Sequence, residues 1–253
     1  MQPLKLPEIF LGFAAKDRYS IAESLLYHFE NYGIPVWYDR HDLIIGDNRE
    51  IENFQNGIIK NKYSILVFSE NTESCVCLNE EIDVVYKKYR DGSMRVFPIL
   101  YNITYDQLPP KYSWVDEIIY REVTDKSGTG LTVSSIVCRY LTDIANEQQY
   151  NDLKSFVFLS LNFDANQYIQ ELLSQYYSID HNNLNARLTI LYCLYSFLKL
   201  KIPVVQTIPI IKSIEWLFEL TKLNLDIDFK ELRIAEKALL ILLNTLNDYY
   251  AQK

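Results

Sequence analysis

Short apolar runs alternate with longer segments of mixed polarity over the first half of the chain. Runs this short, with apolar residues at both odd and even positions, are typical of strands in a parallel sheet that is covered on both faces. They occupy Glu8–Phe13, Ile34–Asp39, Tyr63–Ser69, Arg95–Tyr101 and, less clearly, Glu117–Tyr120. The pattern therefore predicts five buried strands.

The segments between these runs have helical spacing and signals for helix starts. Three of them begin with capping residues, at Ser20-x-x-Glu23, Asp47-x-x-Glu50 and Ser74. A fourth helix is expected over Leu131–Ala145. Strands that alternate with helices predict parallel βαβ units and a doubly wound α/β domain, which we place at residues 7–145.

From about Tyr150 no strand pattern remains, and helical patterns follow one another. They cover residues 150–161, 164–177, 183–200, 208–223 and 228–250, and the last begins with the capping box Asp228-x-x-Glu231. The most apolar stretch, Leu188–Val205, is interrupted by two lysines and a proline, so it is too short to span a bilayer. We therefore predict a second, all-α domain over residues 150–253.

Composition and charge narrow the classes of partner. The formal net charge is −8, with no long run of like charge. An acidic chain lacks the basic footprint of a general nucleic-acid binder, and its charge also disfavours an anionic membrane surface. The four cysteines and a start without a secretory pattern lead us to expect free thiols and a cytoplasmic protein. Neither nucleic acid nor a membrane is expected as a partner.

Common catalytic motifs are missing from the sequence. Cys75-x-Cys77 has no second cysteine pair and the three histidines have no metal-ligand spacing, so no metal site is expected. No G-x-x-x-x-G-K-[ST], G-x-G-x-x-G or G-x-S-x-G motif occurs. Ligands of a doubly wound sheet bind beyond the carboxyl ends of its strands. Three segments are expected there: Gly12–Lys16, Asp39–Gly46 and the stretch from Ser69 to Glu80 and Glu81.

Four blocks of sequence resemble the boxes of the TIR domain family. They are Glu8–Asp17 (EIFLGFAAKD), Gly33–Asp39 (GIPVWYD) with Leu43 and Gly46, Ser69–Asn71 (SEN) with Ser74 and the acidic helix after it, and the later Phe97–Ile99 and Gln107–Pro109. The blocks occur in the family's order and spacing over residues 7–145. The resemblance implies a flavodoxin-like, five-stranded parallel sheet in the order 2-1-3-4-5.

The resemblance implies one of two functions. Many bacterial and plant TIR domains cleave the nicotinamide–ribose bond of NAD+, giving nicotinamide and ADP-ribose or a cyclic ADP-ribose, in bacteria as part of immune or cell-death signalling. NAD+ is then the substrate, and no added cofactor or metal is required. Other TIR domains are catalytically silent adaptors that act through TIR–TIR contacts, which is the alternative for this chain.

The NAD+-cleaving members use one glutamate on the helix after the third strand. A carboxylate suits this chemistry because the bond breaks through an oxocarbenium-like transition state. An alignment without gaps from Ser69 places that glutamate at Glu81, and a one-residue gap places it at Glu80. Helical spacing favours Glu81, because it lies at the edge of the apolar stripe of the helix, whereas Glu80 points towards solvent. A simpler reading is that both glutamates only complement the helix dipole.

The resemblance also implies which residues contact the substrate. The Gly12–Lys16 loop would line the nicotinamide side, and the Arg40–Gly46 loop would close over the site or pack on a neighbouring molecule. The expected substrate-binding residues are Gly12, Phe13, Ala14, Lys16, Trp37, Asp39, Leu43 and Ser69. The sequence departs from the family at Cys77, where an aromatic residue is common, and at Ala14 and Ala15. Base stacking would then depend on Phe13, Trp37, Tyr38, Tyr101 or Trp114.

The helical domain resembles no family that we recognise. Its helices carry more leucine, isoleucine and tyrosine than a bundle of about 100 residues readily buries, so some apolar surface is expected to face a partner. We therefore predict a regulatory or oligomerisation module, open to an activating partner or a small-molecule signal. A simple stabilising appendage is the alternative.

Overall fold

The computed structural model describes residues 5–39, 43–48, 50–150, 152–163, 165–222 and 228–252. The chain divides into two compact units. The sheet unit comprises residues 7–30 and 34–133, and the helical unit comprises the described parts of 1–6, 31–33 and 134–253. The sequence places the domain boundary between residues 145 and 150, whereas the units divide between Val133 and Ser134. The proposed pair of domains stays a prediction.

The sheet unit contains a five-stranded, fully parallel sheet in the order β2-β1-β3-β4-β5. This confirms the predicted fold class and strand order. The register places Ile9 of β1 between Val36 of β2 and Tyr63 of β3. The strands are β1 Ile9–Gly12, β2 Val36–Trp37, β3 Tyr63–Phe68, β4 Arg95–Tyr101 and β5 Arg121–Val123.

The fifth strand lies later in the chain than the sequence predicts. The expected run Glu117–Tyr120 begins at the last residue of a 3-10 helix, Pro110–Glu117, and Ile119 is 90% exposed. Arg121–Val123 pairs with Ile99–Tyr101 instead. This is an edge strand with only Val123 buried, so it lacks the apolar run that marks the inner strands.

The apolar runs of β1 and β3 are buried on both faces of the sheet. Phe10 and Leu66 belong to a core cluster with Ile58, Leu78 and Ile82 from the helices after β2 and β3. Residues at alternate positions of the same strands, such as Ile9 and Ile65, are also fully buried. Burial of successive side chains, which point to opposite faces, is the reason that these strands read as continuous apolar runs.

The helices of the sheet unit form where expected, but the hydrogen bonds at their starts differ from those predicted. Ser20 lies inside a π-helical segment, Arg18–Ala22, that leads into the first helix, and its hydroxyl donates to the Asp17 carbonyl. Ser74 donates to the Asn71 carbonyl. Asn48 accepts from the backbone of Glu50 in place of Asp47, because Asp47 accepts from Ile44 and closes the preceding loop. The helices are α1 Glu23–Asn31, α2 Glu50–Ile59, which is π-helical, and α3 Val76–Arg90.

The helical unit contains five α-helices among its described residues. They are α4 Gly130–Glu147, whose first turn belongs to the sheet unit, α5 Asn166–Ser178, α6 Leu184–Lys201, α7 Ile211–Lys222 and α8 Phe229–Ala251. The predicted helix over 150–161 is wrong beyond one 3-10 turn, Leu153–Val157, which buries only Leu153 and Phe156. The predicted capping box at Asp228 and Glu231 is confirmed. No helix among the described residues is long and apolar enough to cross a membrane.

A polar cluster joins three helices inside the helical unit. The Arg187 guanidinium of α6 lies 4.2 Å from the ring centre of Tyr176 in α5 and pairs with Glu236 of α8 at 3.3 Å. The Tyr176 hydroxyl donates to the same carboxylate. Burial and this carboxylate raise the pKa of Tyr176 far above its ordinary value, so the phenol stays protonated. The cluster thus connects α5, α6 and α8, while Arg187 Nε is buried without a hydrogen-bond partner among the described residues.

Candidate active site

A buried hydrogen-bond network ties together the loops after β1 and β3. Asp17 is 2% exposed, and its carboxylate accepts from Ser69 Oγ at 2.5 Å and from Asn71 Nδ2 at 2.7 Å. Ser69 in turn accepts from the Asn71 backbone and donates its own backbone N–H to Thr72. The carboxyl ends of two adjacent parallel strands are thereby held in one arrangement, at the edge where such sheets bind ligands.

A second cluster at this edge is centred on Arg18. Its guanidinium forms a two-point pair with Asp39, at 2.8 and 3.0 Å, and also donates to the Tyr38 hydroxyl. It lies 5.3 Å from the ring centre of Phe13, which stacks on Tyr38. The hydrogen bond to Asp39 raises the pKa of Arg18. The Arg18 guanidinium is therefore held in place by an ion pair with Asp39, at the start of the loop after β2.

The pair Glu80 and Glu81 lies in the second turn of α3. Leu78, Ile82 and Val85 are buried, which confirms the apolar stripe. Glu81 is half-buried at the edge of the stripe and accepts from Asn53 Nδ2 of α2 at 2.8 Å. Glu80 is exposed and lines an open groove of about 550 Å³. The groove is lined by Glu50, Phe54, Ile59, Glu80, Asp83, Val84 and Lys87.

A polar edge of a parallel sheet with a half-buried carboxylate does not by itself identify a protein family. Comparison with known families does. The family model of the TIR domain matches residues 9–131. These residues are a TIR domain. The match confirms the resemblance that the four sequence blocks carry.

Three microbial proteins illustrate the similarity of the TIR domain to known proteins. An NAD(+) hydrolase, TcpA, of a Theionarchaea archaeon is 27% identical over 101 residues, which are 40% of this chain and 30% of that protein. The 2' cyclic ADP-D-ribose synthase BtTIR of Bacteroides thetaiotaomicron is 26% identical over 107 residues, 42% of this chain and 37% of that protein. The NAD(+) hydrolase TcpC of Escherichia coli is 25% identical over 141 residues, 54% and 43% of the two chains.

These matches cover only part of each relative. The chain spans about a third of the length of the first curated relatives that it matches. Among solved structures, the TIR domains of the activated Roq1 resistosome, which recognises the pathogen effector XopQ, match 56% of this chain and 77% of that chain. That match has 19% sequence identity and a TM-score of 0.37.

Most of the expected substrate-binding residues lie in the packed interior of the TIR domain. Phe13, Ala14 and Trp37 are buried, and Trp37 stacks on Phe10 with ring centres 5.2 Å apart. A Cβ atom at Gly12 would lie 2.9 Å from Leu66, so this glycine allows close packing of two strands. The buried positions show packing roles, and their contact with a substrate stays a prediction.

The remaining expected residues have more varied surroundings. Lys16 is exposed, Asp39 is held by Arg18, Ser69 is buried in the Asp17 network, and Leu43 packs against the core cluster that contains Trp37. The loop Arg40–Gly46 is described only from Leu43 onwards, and Arg40, His41 and Asp42 lie outside the described residues.

The additional stacking candidates, Tyr38, Tyr101 and Trp114, are buried. Trp114 packs among the aromatic rings of Tyr86 and Tyr89, and the Tyr101 hydroxyl donates to Asp125. Each of these rings already has aromatic or hydrogen-bonding partners within the TIR domain.

Three residues near the site did not emerge as site residues from the sequence. Asp17 was visible only as part of the first box, and Arg18 is one of several charged residues after β1. Nothing in the sequence marks Asn53 as a site residue, because a single asparagine is common on the solvent-exposed face of an amphipathic helix. Its pairing with Glu81 depends on how α2 and α3 lie side by side, which the sequence spacing within either helix does not specify.

Proposed function

We propose that this TIR domain cleaves the nicotinamide–ribose bond of NAD+, with Glu81 as the catalytic carboxylate. The observation that carries the proposal is the position of Glu81. This half-buried residue lies in the second turn of the helix after β3 and accepts a hydrogen bond from Asn53. Relatives named NAD(+) hydrolase or cyclic ADP-ribose synthase support it. The four cysteines are free, as in proteins of a reducing cytoplasm. A role in bacterial defence or cell-death signalling follows only from the resemblance to TIR domains.

The proposed reaction needs one well-placed negative charge. As the bond to the ribose breaks, nicotinamide leaves with the bonding electron pair and becomes neutral. The Glu81 carboxylate stabilises the positive charge that develops on the ribose. An oxygen of water then bonds to the ribose carbon and loses a proton to give ADP-ribose. Alternatively, a hydroxyl oxygen of the ADP-ribosyl group itself bonds to the ribose carbon and loses its proton, which gives a cyclic ADP-ribose.

The proposal is tested by incubating the purified full chain with NAD+ and measuring nicotinamide, at dilute and concentrated protein. Nicotinamide release that is proportional to time and absent from the buffer control supports the proposal. Release at the buffer rate at every protein concentration would contradict it and favour the catalytically silent adaptor.

We propose that TIR domains of this chain associate with one another through the loop after β2. Ile44 and Ile45 of this loop are exposed, Ile45 completely. Exposed apolar side chains at a loop tip are suited to contact with a protein surface. The contact would place this loop of one molecule at the site of another.

We expect Ile45→Glu to weaken this association, because the contact would have to desolvate a carboxylate. For wild type, association through this loop should raise nicotinamide release per molecule as the protein concentration increases. Ile45→Glu should remove this rise, and sedimentation should show a smaller species. Ile119→Glu is the matched control, since Ile119 is also highly exposed, at 90%, in a different segment of the sheet unit. Identical behaviour of the two variants would contradict a specific role of the loop.

We propose that the helical unit regulates the TIR domain or helps it to oligomerise, in response to an activating protein or a small molecule. Apolar side chains on its surface, including Phe158 and Leu200, are more than four-fifths exposed. Their exposure is the supporting observation, because large solvent-facing apolar side chains favour a partner when they form a patch.

We expect Leu200→Glu to change self-association or the concentration dependence of nicotinamide release, while the melting temperature stays within about 2 °C because an exposed side chain contributes little to stability. Analytical ultracentrifugation and the NAD+ assay measure the two effects on the full chain. If both remain as in wild type and in Ile119→Glu, Leu200 has no part in regulation and the reading of the helical unit as a stabilising appendage gains support.

A further inference from the structure

Asn53 occupies an unusual position for a polar side chain. It lies in the first turns of α2, is only 4% exposed, and donates from Nδ2 to Glu81 Oε1 at 2.8 Å. The orientation of the amide is determined by its partner, because an ionised carboxylate only accepts hydrogen bonds and the NH2 group must face it.

The other end of the same amide has no partner. The carbonyl oxygen Oδ1 is buried and accepts no hydrogen bond from any residue in the described part of the chain. Burying an unpaired acceptor destabilises a folded protein, so such groups are rare and call for an explanation. A leucine has the same branched shape as asparagine and would avoid this cost. The packing of the TIR domain therefore does not account for an asparagine at this place.

We infer that Asn53 is a positioning residue, which keeps the Glu81 carboxylate in the orientation that cleavage requires at a cost in stability. The inference rests on the proposed function. One hydrogen bond from a buried, immobile side chain restricts the rotamers of a half-exposed glutamate, which otherwise samples several conformations in water. Glu81 remains the group that acts on the ribose, and Asn53 acts only through it.

The test compares Asn53→Leu with Asn56→Leu in the full chain. Asn56 is the matched control, because it lies three residues further along α2 and donates to Glu52 rather than to Glu81. We expect Asn53→Leu to lower kcat for nicotinamide release by about tenfold to a hundredfold, the range for a misplaced reacting group, with KM changed less than about threefold. Its melting temperature should equal or exceed that of wild type, since the unpaired carbonyl is removed. Asn56→Leu should leave kcat unchanged.

Asn53→Ala gives the same comparison if the leucine variant does not fold. The double variant of Asn53→Leu with Glu81→Gln tests whether the two residues act together. Asn53→Leu should not reduce the residual rate of Glu81→Gln any further, because a positioning residue has no effect once its partner is disabled. If wild type is active and Asn53→Leu or Asn53→Ala has the kcat of Asn56→Leu, the inference is wrong and the proposed function stands. If wild type releases no nicotinamide, both are wrong.

Discussion

Replacing Glu81 with glutamine lowers nicotinamide release by about 10²- to 10³-fold, the loss expected when one preorganised electrostatic group is removed from a transition state. Glutamine has nearly the same size and its Oε1 still accepts from Asn53 Nδ2, so the fold and the side-chain position are preserved. Only the negative charge is lost. We expect kcat to fall while KM changes little, because the charge on the ribose develops mainly in the transition state.

Glu80→Gln is the matched control for this experiment. Glu80 is the adjacent residue in α3, carries the same charge, and lies on the exposed groove rather than at the edge of the buried stripe. Its activity should stay within about twofold of wild type, since charges that do not meet the reacting atoms contribute little to the rate. Loss in Glu80→Gln with retention in Glu81→Gln would transfer the catalytic role to Glu80. Full activity in both variants would remove the pair from the mechanism.

Replacing Asp17 with alanine lowers the free energy of unfolding of the sheet unit by about 3 kcal/mol, from the loss of hydrogen bonds to a charged acceptor. The 2% exposed carboxylate accepts from both Ser69 and Asn71. Without it, the buried hydroxyl of Ser69 and the partly buried amide of Asn71 lose their acceptor. Urea unfolding followed by circular dichroism measures the change, and the midpoint should move to a lower urea concentration.

Asp106→Ala separates the effect of the network from a general effect of removing a carboxylate. Asp106 is exposed in the loop after β4 and belongs to the same unit, so we expect no measurable change in the midpoint. Asp17→Asn should have an intermediate effect, because the amide oxygen still accepts one of the two hydrogen bonds while its NH2 faces the other donor. Equal midpoints for Asp17→Ala and Asp106→Ala would show that the network contributes nothing to stability.

The sequence predicted those features of the candidate site that depend on spacing within a single helix. Helical spacing alone distinguished a half-buried Glu81 from an exposed Glu80, because the buried stripe of α3 is set by the residues of that one helix. The same reasoning failed for the hydrogen bond between Glu81 and Asn53, which joins residues 28 positions apart. It also failed for Asn48, Asp17 and Ser20, since side-chain hydrogen bonds in loops depend on where the backbone turns.

The pattern of the sequence by itself determined the parallel sheet and most of its helices, whereas the strand order followed from the resemblance to TIR domains. Continuous apolar runs are required in strands buried on both faces, and amphipathic spacing is required in helices that cover them. The edge strand Arg121–Val123 escaped detection because an edge position does not demand burial at every residue. Only the tertiary structure decided which polar side chains meet. The pairs Asp17–Ser69, Arg18–Asp39 and Asn53–Glu81 each join different elements, so their formation depends on how those elements pack and not on spacing within any one of them.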